Sequence, residues 1–310
     1  MEITHDVGAR ITLGVQEVLA MFRGSMVAIV TPFKKGAIDE EALRSLVEFQ
    51  IKEGTDVIVP CGTTGESATL SHEEHERVVK IVAEAVAGRS KVLAGTGSNN
   101  TEEAIRLTRF ARQAGADGAL LITPYYNKPT QEGLYQHYAA VARAVDIPLV
   151  LYNVPGRTSL QMAPETIARL SKIESIVGIK EATGSLQYVS KVIELCGEGF
   201  DVISGDDFTT LPILAVGGVG TISVTANVIP GDVHAMIKAF QNKDLEKARK
   251  LHYKMGPINE AMFLETNPIP VKAALALMGK ISWEIRLPLT PISDAQKEKL
   301  RKVLVDYGLV

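Results

Sequence analysis

Cysteine is scarce in this chain. Cys61 and Cys196 are the only two in 310 residues, they lie far apart, and neither sits in a Cys-x-x-Cys pair. That leaves room for one bridge at most, and a reduced, cytosolic protein is the better reading. Histidine is sparse too, at six residues. His72 and His75 flank Glu73 and Glu74, which is not the His-Glu-x-x-His spacing of a zinc site, and no carboxylate–histidine cluster stands elsewhere, so no metal site is expected. Charge of one sign is missing as well. Lys and Arg number 33 against 36 Asp and Glu, spread along the chain, for a net −3. This leaves no electrostatic footprint for nucleic acid or an anionic membrane.

Targeting and spanning segments are not signalled either. Residues 1–20 carry Glu2, Asp6 and Arg10 and lack an apolar stretch, so they do not read as a secretory signal. With Met21 standing just before the first strand-like run, they read as an upstream start or an extra N-terminal helix. Phe208–Gly231 has no charged residue but contains Pro212, Gly217, Gly218, Gly220, Asn227 and Pro230. A spanning helix wants ~20 predominantly apolar residues; a buried helix followed by a buried strand is preferred.

What is present is an alternation. Hydrophobic residues make up 46% and charged residues 22%, an ordinary globular balance with ample material for a core. Strand-like runs fall at Met26–Val30, Asp56–Val59, Lys91–Ala94, Gly118–Ile122, Pro148–Tyr152, Ser175–Lys180, Asp201–Ser204 and Gly220–Ser223. Helical patterns lie between them at Glu40–Glu53, Glu73–Val86, Thr101–Gln113, Gln131–Ala144, Ala163–Leu170, Leu186–Leu195, Thr209–Ala215 and Pro230–Phe240. Runs such as Ala119-Leu120-Leu121-Ile122 are apolar on consecutive residues, as in strands buried on both faces. Eight such units predict an α/β fold, a TIM (β/α)8 barrel over residues 21–242 with its site at the C-terminal strand ends. An open doubly wound sheet would want GxGxxG after the first strand, where Thr31-Pro32-Phe33-Lys34 stands instead. Residues 243–310 read as a purely helical C-terminal appendage. Ser71 with Glu74 three residues on forms a capping box.

Four places at strand ends can carry chemistry. In Ile176-Val177-Gly178-Ile179-Lys180, alternation puts Ile176, Gly178 and Lys180 on one face, with Gly178 leaving space beside the lysine. An amine in an apolar strand loses hydration, which lowers its pKa and frees it for Schiff-base chemistry. The plain alternative is a lysine at the barrel lip. Tyr152 ends the preceding strand and is either a proton shuttle or an aromatic plug. Arg157, on the Pro155-Gly156 turn, is either a carboxylate clamp or a surface arginine. Gly62-Thr63-Thr64-Gly65-Glu66 follows the second strand and is either an anion-holding turn or a simple connection; it lacks the P-loop ending. Tyr125 and Tyr126, in Thr123-Pro124-Tyr125-Tyr126-Asn127, mark either an interface or loop packing. Asp206-Asp207 resembles a carboxylate pair, but a helix N-terminal acid is the simpler account.

Together Gly62-Thr63-Thr64-Gly65-Glu66-Ser67, Thr123–Asn127, Tyr152-Asn153-Val154-Pro155-Gly156-Arg157-Thr158, Gly178-Ile179-Lys180-Glu181-Ala182 and Asn267-Pro268-Ile269-Pro270-Val271-Lys272 resemble the 4-hydroxy-tetrahydrodipicolinate (dihydrodipicolinate) synthases over nearly all of Met21–Val310. The resemblance implies that Lys180 forms an imine with pyruvate and that Tyr152 relays protons with Thr63 and Tyr126, the last reaching into a neighbouring subunit. It implies that Thr64 holds the pyruvate carboxylate and that Arg157 binds aspartate semialdehyde. Gly205 and Ile222 would line the pocket through their backbones. No metal or organic cofactor is implied, and a homo-oligomer of tight dimers is. The family's L-lysine effector site matches at Ser67, Ala68, His72, His75, Asn99, Glu103 and Tyr125. N-acetylneuraminate lyases and 2-keto-3-deoxy-sugar acid aldolases share the lysine and a related turn, but the Val-Pro-Gly-Arg-Thr setting of Arg157 and the paired tyrosines favour the synthases. A non-catalytic barrel would not need the Lys180, Tyr152 and Thr63 set.

Overall fold

Eight parallel strands close into a barrel in the computed structural model, which describes residues 22–310. The reading of residues 1–20 lies outside these. Gly24–Ala28 pairs with both Val57–Val59 and Gly220–Ser223, which closes the ring, and Lys91–Gly95, Gly118–Ile122, Leu149–Asn153, Ile176–Glu181 and Asp201–Ser204 complete it in chain order. Each of the helices Thr101–Gln113 and Gln131–Ala144 stands where periodicity put it. The first strand begins and ends two residues earlier than Met26–Val30, and Phe33–Lys34 with Ala37–Ile38 adds a small hairpin that the apolar pattern did not signal.

The consecutive apolar residues now have a reason. Met26, Ala28, Val57, Val59, Leu93, Leu120, Val150 and Ile203 fill the inside of the ring. Their neighbours in sequence, such as Val27, Ile58, Val92, Leu121, Leu151 and Val202, face the helices. Strands covered on both faces expose neither set to water. Phe22 floors the barrel, and Gly118 is what admits it: a Cβ there would sit 2.4 Å from the ring's Cζ.

The sixth strand departs from strict alternation. Leu149 pairs with Ile176, but Val150 pairs with Gly178, so Val177 is an extra residue in a β-bulge. Val177 joins the interior cluster and Ile176 the helix-side cluster. Ile176 therefore does not share the face of Lys180, contrary to the alternation. Gly178 has a different purpose from the one expected of it. A Cβ there would lie 2.5 Å from the carbonyl oxygen of Asp201 on the next strand.

Capping follows the local sequence. Ser71 Oγ accepts from the Glu74 amide at 3.2 Å while Glu74 Oε2 accepts from the Ser71 amide at 3.0 Å, the reciprocal box the sequence predicts. The charge-free stretch becomes the helix Thr210–Ala215 and the strand Gly220–Ser223, and no helix among the described residues is long and apolar enough to cross a membrane. Residues 243–310 are not helical throughout. Leu245–Ala261, Ile269–Leu277 and Asp294–Tyr307 are helices, with irregular backbone over 278–293. Met255, Ile258, Leu275, Leu300 and Leu304 belong to the same apolar cluster as Val27, Leu43 and Ile58. The C-terminal helices thus complete the outer core on one side of the barrel.

Candidate active site

At the C-terminal strand ends lies a cleft of about 290 Å³ lined by Thr63, Thr64, Tyr152, Arg157, Lys180, Gly205 and Asn267, among others. Tyr152 and Lys180 are register partners on adjacent strands, so both side chains enter the cleft at the same height. Lys180 is 6% exposed, and its Nζ lies 4.3 Å from the centroid of the Tyr152 ring. The glycine that makes room for it is Gly205, where a Cβ would come within 3.0 Å of Lys180 Cε.

Burial sets the electrostatics. Loss of hydration lowers Lys180 from 10.5 to about 8, with Asp207 pulling it back up and Arg157 pushing it further down. The Tyr152 phenol is pushed up to about 12, again chiefly by burial, against the opposing effects of Arg157 and a hydrogen bond with Thr63. Near neutral pH the site therefore offers an amine that gives up its proton readily beside a phenol that keeps its own.

Asp207 is not the helix N-terminal acid that Asp206-Asp207 suggested for Thr210–Ala215. It is buried, and its carboxylate accepts from Ser223 Oγ and from the amides of Val224 at 3.1 Å and Thr225 at 3.2 Å. It thereby caps the 3-10 turn Thr225–Asn227 after the eighth strand. Asn227 of that turn accepts from the Val30 amide and donates to Ala28 O, tying the last strand to the first.

Thr64 and Arg157 meet at Asn267. Its Nδ2 donates to Thr64 Oγ1 at 3.0 Å, and its carbonyl accepts from Arg157 Nη2 at 3.2 Å. Asn267 stands in one of the quoted motifs but carries no local sign of this part, because its partners Arg157 and Thr64 lie 110 and 203 positions away. Ile222 sits in the barrel interior below the cleft.

Tyr126 stands apart. It is 90% exposed, carries a left-handed backbone at φ 72°, and does not line its own cleft. The residues matched to an effector group only in part. His72 Nε2 meets Glu103 Oε1 at 2.6 Å, Ser98 Oγ also donates to Glu103, and Asn99 Nδ2 donates to Tyr125 O at 3.1 Å. Arg106 donates to His72 Nδ1 at 2.7 Å. That fixes Nδ1 as an acceptor and leaves the ring proton on Nε2, facing Glu103. Ser67 and Ala68 lie on the neighbouring 3-10 turn Ser67–Thr69. His75 instead turns inward and is buried against Gly95 O, at 2.8 Å.

A closed parallel barrel with a desolvated lysine and a phenol on neighbouring strand ends defines an imine-forming enzyme of the class I aldolase type. The profile of the Dihydrodipicolinate synthetase family matches residues 21–306, and the chain belongs to that family. A 4-hydroxy-tetrahydrodipicolinate synthase of Syntrophus aciditrophicus is 61% identical over 290 residues, covering 94% of this chain and 100% of that one. The pyruvate complex of the chloride-inhibited dihydrodipicolinate synthase of Acinetobacter baumannii superposes with a TM-score of 0.91 at 49% identity, covering 93% and 99% of the two chains. The lysine-bound enzyme of Cyanidioschyzon merolae gives 0.91 at 41% identity over 94% and 99%.

The buried amine has a stability consequence. Between pH 8 and 10.5 the unfolded chain holds a proton that folded Lys180 has released, so stability rises with pH through that window and the full penalty stands below it. Lys180→Met removes the penalty, and the variant is expected to be more stable at pH 7 by up to roughly 3 kcal/mol while losing turnover. Denaturant unfolding of both proteins at pH 7 and pH 10 checks this; a variant less stable than the parent at pH 7 contradicts it.

Proposed function

We propose that this chain condenses pyruvate with L-aspartate 4-semialdehyde to give 4-hydroxy-tetrahydrodipicolinate, in the diaminopimelate route to lysine. The observation that carries the reading is the buried Lys180 amine against the Tyr152 ring in a cleft that also holds Arg157.

Lys180 attacks C2 of pyruvate as the neutral amine. Water leaves the carbinolamine, with Tyr152 supplying and recovering protons through Thr63. The imine withdraws electrons from the adjoining methyl group, whose proton is lost to give an enamine. The enamine carbon bonds to the aldehyde carbon, which becomes the hydroxyl-bearing centre. The semialdehyde amine then attacks C2, closing the ring and expelling Lys180 as a free amine. Thr64 and the neighbouring backbone take the pyruvate carboxylate. Arg157 takes that of the semialdehyde, because a guanidinium matches a carboxylate in two-point geometry. Gly205 and Ile222 shape the pocket through their backbones.

Tyr126 acts in a neighbouring subunit. An almost wholly exposed aromatic in left-handed backbone is explained by a partner that covers it, which makes the tight dimer the catalytic unit and a dimer of dimers the assembly. The Ser67, Ala68, His72, His75, Asn99, Glu103 and Tyr125 group is the L-lysine effector site at that interface. Ser98 and His72 hold the Glu103 carboxyl below its usual range, so it stays charged for the effector's ammonium groups.

A coupled assay tests the reaction. Turnover is expected with aspartate semialdehyde and not with sugar aldehydes, and L-lysine at about 1 mM is expected to lower it. Preference for a sugar aldehyde would make the chain a sugar-acid aldolase, and indifference to lysine would remove the effector site. Subunit mixing tests Tyr126. Lys180→Met and Tyr126→Phe chains, each nearly inactive alone, should recover about a quarter of wild-type activity when randomly paired, since half the dimers are mixed and each of those has one intact site of two. No recovery would place Tyr126 outside the partner's site.

A further inference from the structure

The turn that carries Thr63 and Thr64 is held from below by an ion pair that the chemistry above does not use. Glu66 ends the turn in left-handed backbone, at φ 54°, and its amide donates to Thr63 O at 3.1 Å. Its carboxylate is paired with Lys272 of the helix Ile269–Leu277, and both side chains are buried, 1% and 4% exposed. Lys272 Nζ also donates to Thr31 O at 3.0 Å and lies 4.3 Å from the centroid of the Phe33 ring. Thr31 Oγ1 in turn donates to Gly65 O at 2.7 Å. The second oxygen of Glu66 accepts from the Arg286 amide at 3.1 Å, and the Arg286 guanidinium makes two 2.6 Å bonds to Glu74. Five residues before Lys272, at the head of the same helix, Asn267 touches Thr64.

We infer that the Glu66–Lys272 pair is a positioning device for the reaction, by which the C-terminal helices set the height and tilt of Thr63 and Thr64 against Tyr152 and the bound keto acid. A non-glycine residue in left-handed backbone is held there only by surrounding contacts. Here those contacts are the ammonium of Lys272 and the amide of Arg286. Burying two charges is a poor way to gain stability, since a neutral pair of similar shape does as well. It is a good way to fix one geometry, because the ions tolerate little displacement from each other once water is excluded. The pair has no route to substrate itself. It acts through the turn, one hydrogen bond from Thr63 and two residues from Thr64.

The inference rests on the pyruvate reading, and the test separates the two. Lys272→Met alone leaves Glu66 as an uncompensated buried charge and is expected to fold poorly. Glu66→Gln alone strands the buried Lys272 ammonium in the same way, whereas Glu66→Gln combined with Lys272→Met keeps the shapes without either charge and is expected to fold. For the folded double variant, kcat/KM for pyruvate should fall on the order of ten- to a hundredfold while KM for the semialdehyde stays within about twofold, as misplacement of one substrate's binding groups requires. Wild-type kcat/KM for pyruvate in a folded variant, whatever its melting temperature, overturns the inference, and so does an equal loss for both substrates. Absence of turnover in the parent protein would instead overturn the proposed function.

Discussion

One removal of water governs this molecule. Lys180 sits where solvent is excluded, at the end of a strand whose neighbours are apolar on both faces, and its amine is lowered to about 8 as a result. The same exclusion raises the Tyr152 phenol, so a proton acceptor and a proton donor stand in contact without neutralising each other. Folding opposes the placement, because a buried ammonium is costly below pH 8. The surrounding barrel, with every strand covered inside and out, supplies the apolar burial that tolerates it.

The rest of the architecture serves to hold that pair and to gather Thr64 and Arg157 in the same cleft. Gly205 leaves the space for the lysine chain, and the bulge at Val177 sets the register in which Tyr152 and Lys180 are opposed. Behind them, on the outward side, Asn153 Nδ2 donates to Glu181 Oε1 at 3.1 Å and Thr183 binds the same carboxylate through its amide and hydroxyl, each at 2.9 Å. Burial raises the Glu181 carboxyl, and these donors work against the rise. The two strands that carry Tyr152 and Lys180 are thus clasped from the face opposite the cleft. On the other side of the cleft, Asn267 gathers Thr64 and Arg157, so the groups suited to two carboxylates hang from one residue of the C-terminal segment.

Much of this was legible in the sequence, for identifiable reasons. Eight apolar runs buried on both faces have few alternatives to a covered parallel barrel, and the helices between them repeat at 3.6 residues. Lys180, Tyr152, Arg157 and Thr63 stood out because polar groups at strand ends interrupt apolar runs. What stayed hidden was set by contacts distant in sequence. Alternation failed at Ile176 because a bulge depends on the pairing partner. The room beside the lysine, assigned to Gly178, proved to come from Gly205, because only the neighbouring strand reveals which atom a Cβ would strike. Asp207 looked like a cap for the helix that follows it and proved to cap a turn sixteen and more residues onward. Glu66, Lys272 and Asn267 were visible only as letters in motifs.

The most direct test is of the amine itself. The protein is incubated with pyruvate, reduced with borohydride and analysed by peptide mass spectrometry. The account predicts one stable adduct, located on Lys180, whose formation quickens as pH rises toward about 8, the value burial gives this lysine. An adduct on another lysine, or none under conditions where the protein turns over, would contradict it.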